Sequence, residues 1–129
     1  MNNEPVKNER PPAPPGTDLC ALADVADGKS RVVPFKYAGP GAELIVVRAG
    51  DDVYGYVNEC RHMGTSMNLL DDFAVTTNNY HIQCEIHYAT FRFSDGLCVA
   101  GPCQGKSLKA VPVTVRAGRV VVAAEPAAK

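Results

Sequence analysis

The sequence has no tryptophan, no surplus of one charge, no long hydrophobic run and almost no helical periodicity. Thirteen basic against fourteen acidic residues leave a formal net charge of −1. Such a balance excludes the cationic surface that broad binding to nucleic acid or anionic lipid requires. The longest apolar runs, residues 44–47 and 120–124, are far short of the roughly 20 residues that cross a bilayer as a helix. No basic start followed by an apolar stretch stands at the N-terminus, so no secretory leader is expected. The five cysteines cannot all pair within one chain, and a disulfide scaffold fits poorly. Metal or redox chemistry in a reducing compartment fits better, which makes the expected location cytoplasmic.

What is present is enough chain for one domain, 129 residues, able to bury about two-thirds of the surface its unfolded state exposes. Residues 1–17 hold five prolines and only one sizeable apolar side chain besides Met1, namely Val6, and are read as a mobile tail. Residues 18–124 are read as the domain and residues 125–129 as a frayed end. Within the domain, short β-branched and aromatic segments alternate with turn signals. Strands are expected over residues 31–37, 43–48, 53–58, 81–83, 90–93, 97–100, 111–116 and 119–123. Ala117-Gly118 separates the last two as a two-residue hairpin loop. Residues 19–26 alone could hold a turn of helix. The fold class is all-β, a sandwich or barrel.

Two segments interrupt the β pattern and pair cysteine with histidine: Cys60-Arg61-His62 and Cys84-Glu85-Ile86-His87. Each follows a strand, and two curled loops can bring four ligands, Cys60, His62, Cys84 and His87, to one centre. Zinc would take all four tetrahedrally. A two-iron, two-sulfide cluster would take both thiolates on one iron and both imidazoles on the other. Zinc fingers usually group like ligands, whereas here each loop contributes one of each kind, and that order favours the cluster.

With Gly101-Pro102 further on, these motifs resemble the Rieske [2Fe-2S] family, the likeness running over residues 19–123 and including Asp52-Val53-Tyr54-Gly55-Tyr56-Val57 and Thr90-Phe91-Arg92-Phe93. The resemblance implies an antiparallel three-sheet β sandwich with two cluster-binding loops at one tip. It implies one 2Fe-2S cluster held by Cys60, His62, Cys84 and His87, and a third loop, containing Gly101 and Pro102, that covers it. The gap between His62 and Cys84 holds 21 residues, somewhat more than the family's usual spacing. A surface hairpin or loop over residues 71–80 would absorb the excess at little cost.

The resemblance also separates subtypes. High-potential members carry a disulfide between the cluster loops and hydroxyls near the cluster sulfur. Thr65 and Ile86 stand at the matching cysteine positions, and Ala89 and Phe91 at the hydroxyl positions. Without those hydrogen bonds the potential falls toward the bottom of the roughly −150 to +300 mV Rieske range. Glu85 acts in the same direction and Arg61 against it. The implied protein is a soluble ferredoxin, not itself an enzyme. It would shuttle single electrons from a reductase to the terminal oxygenase of a dioxygenase system, docking transiently at the cluster tip, where Met63, Met67 and Pro102 could form an apolar rim. The potential is expected to fall at alkaline pH, because oxidised iron acidifies bound imidazoles. No nucleic acid or membrane partner is expected, and a monomer is the default. Two other readings remain: a small Rieske subunit of a larger, nitrite reductase-like oxidoreductase, and a zinc-stabilised binding module.

The remaining residues have ordinary readings. Cys20 and Cys98 sit in apolar runs and are expected in the core. Cys103, beside the covering loop, is read as structural, since reactivity needs an activated, accessible thiolate. His81 is read as an ordinary strand or surface histidine. Gly39-Pro40-Gly41 lacks the Lys-Ser/Thr of a phosphate loop. Asp71-Asp72 is read as a solvated pair. A Cys-His catalytic pair is less economical than four ligands in two matched sets.

Overall fold

The computed structural model of the chain describes residues 13–59, 75–76, 80–84, 89–101 and 104–123. Eleven strands are present among them: β1 (Asp18–Ala21), β2 (Ser30–Pro34), β3 (Glu43–Ala49), β4 (Asp52–Val57), β5 (Val75–Thr76), β6 (His81–Gln83), β7 (Thr90–Arg92), β8 (Cys98–Ala100), β9 (Ala110–Val111), β10 (Val113–Arg116) and β11 (Arg119–Val122). They form three antiparallel sheets, ordered β1-β11-β10, β2-β3-β4-β9 and β5-β6-β7-β8. The all-β, three-sheet expectation holds.

The second sheet lies between the other two, and the sequence of β3 shows why. Its apolar run is buried on both faces, so no polar alternation is needed. Leu44 and Val46 join one core cluster with Cys20, Val57, Val111, Val120 and Val122, against the first sheet. Ile45 and Val47 point the other way, into a cluster with Ile82, Phe91 and Cys98 of the third sheet and with Phe93 just past β7. Cys20 and Cys98 are therefore core residues, as expected.

Several boundaries depart from the sequence reading. Residues 31–37 are not one strand: β2 ends at Pro34, and Lys36–Ala38 turn as a 3-10 helix that packs Phe35 and Tyr37 ring to ring, 5.6 Å apart. Residues 111–116 are two strands in different sheets. Pro112 lacks the N–H a continuous ladder needs, and the chain changes sheets there. Residues 19–26 form not α-helix but the end of β1 followed by a 3-10 turn over Leu22–Asp24. That turn is stapled by Arg48, whose guanidinium donates to the carbonyls of Leu22 (3.4 Å), Val25 (3.0 Å) and Gly50 (2.8 Å).

Backbone pairing also begins before residue 18. The Gly16 N–H donates to the Val122 carbonyl at 2.7 Å, the Val122 N–H to the Thr17 carbonyl at 2.9 Å, and Ala13 packs on the core. Residues 13–17, assigned to the tail from sequence, are thus tied to β11. The rest of the expected tail, residues 1–12, and the C-terminal segment from residue 124 lie outside the described residues. At Ala117-Gly118 both φ angles are positive, +51° and +78°, which suits a type I′ hairpin turn.

Candidate metal centre

The first ligand-bearing segment follows β4. Its approach is fixed residue by residue: the Val57 N–H donates to the Lys109 carbonyl, and the Asn58 N–H to the Glu43 carbonyl. Buried Asn58 also uses its side-chain amide, donating to Glu43 Oε1 at 3.1 Å. Glu59 pairs with Lys109 at 3.7 Å. Cys60, His62, Arg61, Met63, Thr65 and Met67 lie outside the described residues, as do Asp71 and Asp72. Of the hairpin or loop expected over residues 71–80, β5 is described and pairs antiparallel with β6.

The second segment is the connection between β6 and β7. The ladder closes with Gln83 opposite Thr90. One step beyond, the Cys84 N–H donates to the Ala89 carbonyl at 2.9 Å. Residues 84 and 89 therefore form the base of the connection, and Glu85, Ile86 and His87, between them in sequence, lie outside the described residues. Cys84 is fully buried in the core cluster between the second and third sheets, beside Ala89 and Phe91, also fully buried. It carries no disulfide, nor do Cys20 and Cys98.

The third segment leaves β8 at Ala100. Gly101 has φ +99°, and a Cβ there would lie 2.7 Å from Ala89 Cα and 3.2 Å from Ala89 N. The start of this loop thus rests directly on the base of the second. The Gln104 N–H donates to the Gly101 carbonyl, and the Gly105 N–H to that of Cys98, turning the chain back. Pro102 and Cys103 lie outside the described residues.

Of the four sequence-derived ligands, the structure describes Cys84 alone. Among the described residues no group of three or more His, Cys, Asp or Glu converges as a metal site. The donor chemistry of Cys84 is compatible with an iron centre: a soft sulfur at a buried, apolar position would serve as a thiolate ligand once a metal cation neutralised its charge. Ala89 and Phe91 supply no hydroxyl to its surroundings. The other thiols have different settings. The Cys98 thiol donates to the Ala100 carbonyl at 3.2 Å. Burial, reinforced by Asp24, pushes the Cys20 thiol above its ordinary value, which makes it a poor nucleophile. His81 is half-buried on β6 and lines a surface pocket of about 210 Å³ with Tyr54, Tyr80, Arg92 and Phe93, apart from the Cys84 base.

Two features of this region were not singled out from the sequence. One is the contact of Gly101 with the Ala89 backbone, signalled only by a glycine just past a strand. The other is Tyr56, whose hydroxyl donates to the Phe93 carbonyl at 2.5 Å and so joins the second sheet to the third. Its alternation with Tyr54 gave no sign of a partner 37 residues away.

Residues 17–117 match the family model described as the Rieske [2Fe-2S] domain. The fold is similar to that of the ferredoxin of carbazole 1,9a-dioxygenase from Nocardioides aromaticivorans IC177, with a TM-score of 0.68 and 26% identity, covering 88% of this chain and 100% of that one. A ferredoxin of Sphingomonas yanoikuyae B1 gives 0.67 and 27% identity, covering 85% and 99%. A chain in the complex of reduced oxygenase and oxidized ferredoxin in carbazole 1,9a-dioxygenase gives 0.67 and 28%, covering 87% and 95%. A search of curated proteins finds no match. No helix among the described residues is long and apolar enough to cross a membrane.

Proposed function

The chain belongs to the Rieske [2Fe-2S] domain family, and from that premise we propose that it is a low-potential ferredoxin delivering single electrons to a terminal oxygenase. Family membership brings one Rieske-type cluster. When bound, the cluster supplies a reversible one-electron couple. We assign its thiolate ligands to Cys60 and Cys84 and its imidazole ligands to His62 and His87. The part of the chain in this chemistry is to hold the cluster, keep water from its buried side and set its potential.

The observation that carries the reading is coverage. The chain spans 100% and 99% of two ferredoxins at 26% and 27% identity, whereas it matches a terminal oxygenase over only 32% of that chain and at 21% identity, so a carrier is the better match in length. The buried, hydroxyl-free positions Ala89 and Phe91 favour a low potential, since hydroxyls donating to cluster sulfur would raise it. The oxygenase partner is favoured because one similar structure is a complex of oxygenase and ferredoxin. A flavin or iron–sulfur reductase is the matching donor. We place the protein in the cytoplasm, where reduced thiols such as Cys20 and Cys98 persist.

The test is a redox titration of the purified protein with iron and sulfide quantified. About two irons and two sulfides per chain, and a midpoint below about +100 mV, are expected. A colourless protein with about one zinc per chain overturns the cluster assignment, and a midpoint above about +100 mV overturns the low-potential reading.

A further inference from the structure

Tyr56 stands four residues before Cys60, on the strand that leads into the first ligand segment. Phe93 stands four residues after Ala89, just past the far end of the strand that leads out of the second. The bond from the Tyr56 hydroxyl to the Phe93 carbonyl therefore ties together two arms, the strand that runs toward the first ligand segment and the strand that leads out of the second. Both ends of the bond are fixed. Tyr56 and Phe93 are each 2% exposed, and the Phe93 N–H donates to the Tyr80 carbonyl at 3.0 Å. The tyrosine ring is seated on the β7–β8 turn at Gly96, where a Cβ would lie 2.8 Å from the ring. Arg92 and the Leu97 N–H both donate to the Asp95 carboxylate, locking that turn. The Leu108 N–H donates to the Gly96 carbonyl at 2.9 Å, a second tether just ahead of β9, the strand that pairs with β4.

We propose that Tyr56 is a positioning residue for the cluster: its hydroxyl sets the sheet leading to Cys60 in register with the hairpin that carries Cys84. The inference rests on the ferredoxin reading and adds to it a residue that touches neither iron nor sulfide. A buried hydroxyl–carbonyl bond suits this task because it is directional, whereas the apolar contacts around it tolerate sliding. Removing the hydroxyl leaves the Phe93 carbonyl buried and unpaired, and the two arms lose their common reference.

The test compares Tyr56→Phe with Gly96→Ala, whose added methyl would meet the tyrosine ring, and with Val120→Ala, which opens a cavity in the other core cluster. Each holoprotein is reduced and its electron paramagnetic resonance spectrum recorded, and cluster bleaching by a chelator is timed. Tyr56→Phe and Gly96→Ala are expected to give broadened, shifted spectra and bleaching about tenfold faster than wild type. Val120→Ala is expected to lower the melting temperature while keeping the wild-type spectrum. Spectra of Tyr56→Phe and Gly96→Ala that superpose on wild type overturn the positioning role. A wild-type protein without any Rieske signal instead overturns the cluster on which the role depends.

Discussion

Gly101 lies flat against Ala89, so close that a Cβ on the glycine would stand 2.7 Å from the alanine Cα. Backbone is in contact with backbone, so no rotamer change can relieve an added methyl group. Gly101→Ala should cost about 2–3 kcal/mol, combining the positive-φ penalty with overpacking. Gly105 provides the comparison. Its φ is +94° and an added methyl would meet nothing within 4 Å, so Gly105→Ala should cost only about 1 kcal/mol. Urea unfolding of the two variants gives the difference directly. Equal costs would show that the contact carries no energy.

Tyr56 should make itself felt at alkaline pH. Burial, with Asp95 adding to it, pushes its phenol well above the ordinary value of 10. The unfolded chain therefore releases this proton first, and the stabilising contribution is complete below about pH 10 and declines above it. The stability gap between wild type and Tyr56→Phe should be constant from pH 7 to about 10 and shrink beyond, by up to about 1.4 kcal/mol per pH unit. Chemical denaturation at a series of pH values reads this slope, and a gap that stays level through pH 11 contradicts it.

At acid pH the relevant groups are Asp18 and Asp95. Hydrogen bonds from Arg119 and Arg92, respectively, hold both carboxyls below the ordinary carboxylate range. Their contribution is present above about pH 4 and is lost as pH falls through the depressed folded-state values. Asp95 matters more, because it also accepts from the Leu97 N–H within the turn under Tyr56. Asp95→Asn should lower stability by less than about 1 kcal/mol at neutral pH and flatten the acid limb of the stability curve. For Asp18→Asn, on an exposed surface pair, the change should be smaller still, and thermal melts at pH 3 and pH 7 rank the two.

The thiols divide by role. Cys84→Ser should abolish visible absorption and leave the protein with well under two irons per chain. Cys20→Ser and Cys98→Ser should keep full iron content while losing about 1–3 kcal/mol, since each puts a hydroxyl into the core. Iron analysis after identical reconstitution separates the three. Full loading of Cys84→Ser would remove it from the ligand set.

Strands set by local alternation were legible in the sequence: His81–Gln83 is found as expected, and residues 43–48 and 53–58 shift by a residue at their ends. The ligand motifs could be named from residue type, because ligand chemistry is written there, but Cys60, His62 and His87 lie outside the described residues and the ligand set stands as a proposal. What could not be read depended on distant partners. Residues 111–116 look like one strand until β4 and β11 claim its two halves on either side of Pro112. Residues 13–17 look like tail until the edge of β11 offers hydrogen bonds to Gly16 and Thr17. Leu19 and Cys20 suit a helix turn until pairing with β11 draws them into a strand.

The pairing of β1 with β11 has a consequence for how the protein is made. Asp18 meets Val121 and Ala21 meets Arg119, so the first sheet closes only between opposite ends of the domain. A chain emerging from the ribosome cannot form that sheet until β11 has been made. By contrast, β6, β7 and β8 lie within about twenty residues of one another and can pair as soon as they appear. The hairpin that presents Cys84 is therefore an early structure, and the sheet that joins the ends of the domain is the last to close. Truncation before Arg119 should stall maturation at an intermediate with a formed hairpin and an open flank, exposing the face of Leu44 and Val46 to premature association.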